Sequence, residues 1–397
     1  MAQNTSPAFN PQTFGVTVVT KAEGILTKSI YMNGDGRPHS DGTACVMTSG
    51  QAQTVRLGSV AHLADLINGL TSNQALTLGV VTTDPMGLEI HGVLPRAELA
   101  APLPGVIARS RDYISYQRAD YGFMLIDFDQ KGMPDLLEID DPVGTILDEI
   151  DGGEDVPHVF RTSTSSGLTN TATGETYGST GGFHLYLPVQ DASDIPCALK
   201  VLHKRLWLAG YGWHVIGSRG QLLERSMVDT SVGGPEGLIF EGPPMVSRPL
   251  VQDVTTRAAQ VGGGSIMTAL DTRAALPDLT EDEEREYRLI VHNSRIALAH
   301  DVKHAQQHFV QTEAQRTGRP QDDIRADLER ALGGRLPLAH MLYFDDPQIG
   351  AQTVETVVNN LDAYIGQTLG DPLDPDDGRG KAKIMGNGFC LTENFFT

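Results

Sequence analysis

The residues best suited to chemistry are carboxylates at the ends of apolar runs. Tyr121-Gly-Phe-Met-Leu-Ile-Asp127-Phe-Asp129 is such a run, closing on two acids one residue apart. Its composition predicts a buried strand. Alternate side chains of a strand share a face, so Asp127 and Asp129 would point one way and Phe128 the other. Two carboxylates aimed at one point repel each other unless a cation lies between them. Hard oxygen donors of this kind suit Mg²⁺ or Mn²⁺, which are commonly held by one or two carboxylates plus substrate phosphates. An Asp-x-Asp pair is equally compatible with a solvated strand end, and only its company elsewhere in the chain separates the two readings.

Two further segments carry polar groups of the right kind. Val159-Phe-Arg161-Thr-Ser163-Thr-Ser165-Ser-Gly167 and Gly178-Ser179-Thr-Gly-Gly182-Phe-His184-Leu-Tyr-Leu-Pro-Val189 read as the two strands of a hairpin, joined by the polar stretch from Leu168 to Tyr177. His184 and Tyr186 share one face, and the glycines before them allow close approach of a ligand to the backbone. Hydroxyls, backbone amides and an imidazole arriving together are donors for phosphate oxygens; a lone buried structural histidine is the plainer alternative. Met227-Val228-Asp229 then supplies a third carboxylate, as a two-metal centre needs, with Arg219 and Arg225 close by in sequence.

These groups need elements to hold them. Val16, Val18 and Val19 predict an opening strand, the turn Asn33-Gly-Asp-Gly-Arg-Pro leads to a second extended piece near Ala44 to Met47, and Leu76 to Val81 reads as another strand. Ser59 is placed to cap a helix whose apolar face is Leu63, Leu66, Ile67 and Leu70. Arg109, Arg111 and Arg118, interleaved with Tyr113 and Tyr116, form a basic and aromatic stretch that could track a nucleic-acid strand, or be one face of a solvated helix. The acidic segment Asp135 to Asp155 has apolar residues at helical spacing. Lys200, Lys204 and Arg205 fall on a helix with Leu199, Leu202, Leu206 and Leu208.

At 397 residues the chain predicts two domains. Its 40% apolar and 20% charged residues are those of an ordinary globular protein, with a polar, disordered start before Phe14. No apolar run approaches the length needed to span a bilayer and no signal peptide opens the chain, so the expectation is a cytoplasmic protein with no membrane partner. Cys45, Cys197 and Cys390 lie far apart, without zinc-ribbon or disulfide spacing. The net charge of −20 excludes nonspecific coating of nucleic acid; any such role must rest on a local basic groove.

In their order, these motifs resemble the archaeo-eukaryotic primase superfamily, the primase-polymerases, in the form carried by phages, plasmids and integrated elements. That family has an apolar strand ending in Asp-x-Asp or Asp-x-Glu, matched by Asp127 and Asp129. It has a later Ser-x-His strand, matched in part by Gly182-Phe183-His184, and then an apolar residue followed by Asp, matched by Val228-Asp229. The support spans roughly residues 100 to 250, and Val232 to Phe240 followed by Glu241-Gly-Pro-Pro also looks like the segment after the third motif.

The resemblance implies an α+β catalytic core, an RNA-recognition-motif-like sheet with an accessory α/β unit. It implies that Asp127, Asp129 and Asp229 bind two Mg²⁺ or Mn²⁺ ions and that His184 contacts the phosphates of an incoming NTP or dNTP. Gly182 stands at the family's serine position, so Ser179, Ser163 or Ser165 would substitute, with Arg161. Gly237 stands where the family has arginine, so Arg225 or Arg248 would supply that phosphate contact. Lys200, Lys204, Arg219 and the Arg109, Arg111 and Arg118 stretch would line a groove for single-stranded DNA template. The activity implied is DNA-dependent primase or polymerase in a bacterial host, with a replicative helicase as partner in cis or trans.

The expected catalytic domain is 1–270, with an N-terminal α/β part at 14–100 and the motif-bearing part at 101–250. Gly262-Gly-Gly-Ser265 reads as a linker, and 271–370 as an α-helical domain opened by the capping box Thr280-Glu-Asp-Glu283 and a single helix to about Thr317. Further helices are expected through Asp322 to Leu332 and Val354 to Leu369. His300, His304 and His308 share a face of the long helix, but without a His-Glu-x-x-His motif zinc is not expected. Residues 371–397 resemble the junction that leads to a helicase part in longer mobile-element primases; no Walker motif is present, which suggests a fragment or a stand-alone member. Two alternatives stand beside the polymerase reading. One is a noncatalytic replication or DNA-binding protein of the same fold. The other is a haloacid-dehalogenase-type phosphatase with Asp127 as nucleophile, although Gln130-Lys131 replaces its usual small pair and no Rossmann-like alternation surrounds the strand.

Overall fold

A computed structural model describes residues 13–391, except 96–98, 100–102, 131, 135–136, 138, 179–180, 265–267, 334–335, 337, 365–366, 371, 373–380 and 386–387. The expected disordered start and Ser179 lie outside the described residues. The chain is mixed α+β and divides into two compact units. The first is Met1–Lys131, Asp135–Tyr211 and Ser226–Thr280; the second is Gly132–Pro134, Gly212–Arg225 and Glu281–Thr397.

The first unit opens with β1 (Phe14–Lys21), β2 (Ser29–Met32), β3 (Pro38–Asp41), β4 (Gly50–Leu57), α1 (Val60–Gly69), β5 (Gln74–Thr77), β6 (Val80–Val81), β7 (His91–Val93), β8 (Val106–Ile107) and β9 (Ile114–Ser115). Five of these strands form one sheet in the order β5-β1-β4-β7-β8. Ser59 caps α1 by accepting from the His62 amide, and Leu63 and Ile67 turn inward as their spacing predicts. Ala44 to Met47 is not a strand. Asp41 accepts from the amide and hydroxyl of Thr43 at 2.8 and 3.1 Å, and that turn ends β3. The Arg109 to Arg118 stretch is not helical either: apart from β9 it is turns, and Tyr113 and Tyr116 pack against apolar clusters instead of standing out as stacking platforms.

The part of this unit that carries Asp127 and His184 is a second, four-stranded antiparallel sheet. It is built from β10 (Gly122–Phe128), β11 (His158–Thr162) and β14 (Phe183–Val189), in the order β10-β14-β11, with one more strand beyond β11. Between them, α2 (Pro142–Asp148) is the only α-helix described in the acidic segment. A short hairpin, β12 (Leu168–Asn170) and β13 (Thr176–Tyr177), occupies the loop of the predicted β11–β14 hairpin. Helix α3 (Ile195–Leu208) follows, burying Leu199, Leu202 and Leu206 and leaving Lys200 exposed. After β15 (Gly212–Ile216) and β16 (Leu222–Ser226), a hairpin assigned mostly to the second unit, come β17 (Met245–Val246), β18 (Leu250–Gln252) and β19 (Gln260–Gly262). Strand β19 corrects the linker reading: it pairs with β11 as the fourth strand of the sheet, and a side chain at Gly262 would strike the His158 ring. Glycine here serves close packing rather than flexibility. The first unit ends after α4 (Thr272–Ala275).

The second unit holds α5 (Glu281–Ala297), α6 (Ala299–Thr317) and α7 (Gln321–Leu332), then β20 (Met341–Tyr343), β21 (Ala351–Thr353), α8 (Val354–Asn359), α9 (Leu361–Tyr364), β22 (Thr368–Gly370), β23 (Lys381–Met385) and β24 (Gly388–Leu391). The single long helix is two, broken at Leu298, while its end at Thr317 is set by Gly318 in the left-handed region. The expected all-helical character does not hold beyond α7, where strands surround a small core of Leu342, Phe344, Val357, Leu369 and Ile384. His300, His304 and His308 are all exposed on α6. Among the described residues no helix is long and apolar enough to cross a membrane.

Candidate functional site

The sheet register assembles the site. Asp127 on β10 lies opposite His184 on β14, and His184 lies opposite Arg161 on β11, so one row across three strands reads Asp, His, Arg. The next row on that face is Leu125, Tyr186 and Val159, all buried. On the other face Phe183 packs between Phe128 and Phe160, with ring centroids 4.9 and 5.3 Å away. Alternation thus separates an apolar, aromatic face from a charged one, as the strand pattern requires.

Asp129 is the second residue out, one position past the end of β10 and exposed. Asp229 reaches the same place by backbone pairing. Its amide donates to the Asp127 carbonyl at 3.2 Å, and the 3-10 turn Thr230–Gly233 starts there with an Asp229 carboxylate oxygen accepting from the Ser231 amide at 2.8 Å. The three acids are therefore neighbours. Partial burial pushes the Asp127 carboxyl above its ordinary range; His184 opposes the shift, and the charges of Asp229 and Asp129 add to it. Lys28, a group the sequence reading passed over, is close enough to act on Asp127 from the positive side. Among the described residues no three His, Cys, Asp or Glu side chains are already assembled as a metal site.

Behind His184 lies a buried charged cluster. His184 Nε2 faces Asp127 at 3.6 Å, and its Nδ1 is 2.6 Å from Glu241 Oε1. Glu241 is 1% exposed and also accepts from Tyr186 Oη at 2.5 Å and from Arg257 Nη2 at 3.2 Å, with Arg161 Nε at 3.4 Å. Burial alone would raise the Glu241 pKa; His184, Arg161 and Arg257 overcome it and hold the carboxyl at about 2. Burial alone would lower the His184 pKa, but Glu241 and Asp127 reverse it and the net shift is upward. The Asp127 and His184 side chains keep 34% and 23% of their surface, so a ligand can reach them, whereas Glu241 is sealed.

Arg161 is consequently no phosphate contact. It is 6% exposed, donates to the Ile67 carbonyl at 3.2 Å and is committed to Glu241. Ser163 and Gly182 pair through their backbones at 2.9 Å at the end of the sheet where Asp129 emerges, and the Ser163 and Ser165 hydroxyls are 3.2 Å apart. Gly181 beside them has φ +76, a backbone conformation that favours glycine, and abuts the Gln130 side chain. Arg248 is exposed, next to the cis bond to Pro249. Arg109 and Arg111 are tied to Glu236, through its carbonyl at 3.1 Å and its carboxylate at 3.0 Å; Arg118 is exposed, and Lys204 on α3 is half-buried. Arg219 and Arg225 belong to the second unit, where Arg219 donates to the Pro372 carbonyl and lies over the Phe309 ring.

Sequence reasoning missed Glu241 and Arg257 as members of this cluster. The one signal was Glu241 itself, an acid between the apolar Leu238-Ile-Phe run and Gly-Pro-Pro, in a segment that pairs with β5 through Ile239 and Leu76. No protein-family model, curated protein or solved structure was found to match this chain.

Proposed function

We propose that the first unit is the catalytic core of a primase-polymerase, a nucleotidyltransferase that joins an NTP or dNTP to a 3′-hydroxyl on a single-stranded DNA template. The observation that carries this reading is the convergence of Asp127, Asp129 and Asp229 beside His184. Hard carboxylate donors, mutually repelling and raised at Asp127, are a set that a divalent cation would relieve, so the residues fit Mg²⁺ or Mn²⁺. Asp127, Asp129 and Asp229 would hold two such ions. When bound, these supply Lewis acidity at the attacking hydroxyl and charge neutralisation on the departing pyrophosphate.

The protein's own groups position the rest. His184 Nε2, next to the acids, is placed to donate to a triphosphate oxygen, and Lys28 adds positive charge on the same side. Backbone amides and the Ser163 and Ser165 hydroxyls at the sheet end would line the phosphate path. The four-stranded antiparallel sheet supports the RNA-recognition-motif-like reading of the core. It also disfavours the phosphatase, because the strand carrying Asp127 pairs antiparallel with β14 and is not part of a Rossmann-like parallel array. The noncatalytic alternative predicts binding without turnover. Incubating the full chain with template, nucleotides and Mg²⁺ or Mn²⁺, with and without primer, decides between them: product that disappears in Asp127→Asn and Asp129→Asn supports the polymerase, and product that persists in both excludes this site.

A further inference from the structure

We propose that Glu241 is the positioning residue of this site: by accepting from His184 Nδ1 it fixes the imidazole so that only Nε2 is presented to a nucleoside triphosphate bound at the acids. The inference deepens the nucleotidyltransfer reading and rests on it.

A histidine on a strand can turn about two side-chain bonds and can offer either nitrogen. Here one nitrogen is claimed from behind. The Glu241 carboxylate is 2.6 Å from Nδ1 and inaccessible to solvent, so Nδ1 must be the donor and the ring plane is set by a group that itself cannot move. Several contacts hold that group. Tyr186 Oη and Arg257 Nη2 bind its carboxylate and Arg161 Nε lies 3.4 Å away. Arg257 Nη1 also donates to the Glu241 carbonyl at 3.2 Å, and the preceding residues are bonded to β5 through Ile239 and Leu76 at 2.8 and 3.0 Å.

Stability gives little reason to bury such a cluster, since hydrophobic replacements of buried ion pairs are often as stable or more so. A histidine held from behind by a carboxylate is, by contrast, the recurring way to orient a liganding imidazole. Arg161 and Arg257 compensate the charge of the buried carboxylate.

The test uses Glu241→Gln, His184→Ala and their double variant in the full chain, read by KM for a dNTP and kcat on a primed template. Glu241→Gln is expected to raise KM roughly 10- to 100-fold, the range seen when an orienting partner behind a liganding histidine is lost. In the His184→Ala background the same change should alter KM less than about twofold, because Glu241 acts only through the ring. Equal KM effects of Glu241→Gln with and without His184, or none in either, overturn the proposal while leaving template-dependent synthesis intact.

Should Glu241→Gln fail to fold, the wild-type protein still decides. With ¹⁵N-labelled histidine, His184 should show an exchange-protected Nδ1 proton far downfield. A ring bearing no Nδ1 proton, or one in fast exchange, refutes the positioning role. This spectrum does not depend on whether the protein polymerises nucleotides, so absence of synthesis in the wild type counts against the nucleotidyltransfer reading alone.

Discussion

The backbone amide of Asp229 donates to the backbone carbonyl of Asp127 at 3.2 Å, and that one bond makes neighbours of two acids from distant parts of the chain. It ties the backbone of the third acid to the strand carrying the first. Asp229 also starts the 3-10 turn Thr230–Gly233, its carboxylate accepting from the Ser231 amide.

Asp127→Asn, Asp129→Asn and Asp229→Asn should each abolish nucleotide incorporation. Losing a carboxylate that holds a catalytic ion removes several kcal/mol of transition-state stabilisation, on the order of 10³-fold in rate. Single-turnover extension of a labelled primer measures this. Without divalent ions, Asp127→Asn should be at least as stable as wild type in urea, because the neutral amide relieves the burial and like-charge penalties on that site.

Proton and cation should compete at Asp127. Its folded pKa is raised, so the protonated acid is favoured in the folded state; its contribution to stability is present at low pH and is lost as pH rises from the ordinary value of 3.8 through the raised one. Divalent-ion affinity should therefore increase with pH over that interval and binding should release protons. Calorimetry in buffers of different ionisation enthalpy checks it; no buffer dependence there counts against cation binding at this residue.

The Glu241 cluster should give the protein an acid-sensitive lock. The folded pKa of Glu241 is about 2 against an ordinary 4.5, so its stabilisation is full above 4.5 and is lost as pH falls through about 2. Urea midpoints measured down that range should fall more steeply for wild type than for Glu241→Gln. Arg257→Met, which leaves the buried carboxylate short of a partner, should cost about 3–5 kcal/mol at neutral pH.

Phe183→Ala should cost about 3–5 kcal/mol, because it empties the centre of the Phe128, Phe183 and Phe160 stack on the sheet face away from the acids. Equilibrium unfolding reads the loss. Divalent-ion affinity of the folded fraction should be preserved, since that side chain points away from the charged row.

Patterns local to the chain were readable in advance. The apolar run into Asp127, the β11–β14 hairpin, the Ser59 cap and the stop at Gly318 come from alternation, capping and left-handed glycine, each a matter of a few adjacent residues. Readings based on composition went astray where packing overruled it. The segment entering the Gly262 run looked like a linker, but Gln260–Gly262 is an edge strand paired with β11, and Arg161 looked like a phosphate ligand but is buried as a counter-ion.

By itself the sequence determined which residues are acids, which strand holds the first of them, and which face of that strand His184 would share with Tyr186. Tertiary structure alone decided that Asp229 lies at Asp127, that Arg161 is spent on Glu241, and that Glu241 stands behind His184. The reason is physical. Alternation and capping act over one or two turns of chain, whereas a buried charge takes its partners from whatever elements the fold brings against it, at any distance along the sequence.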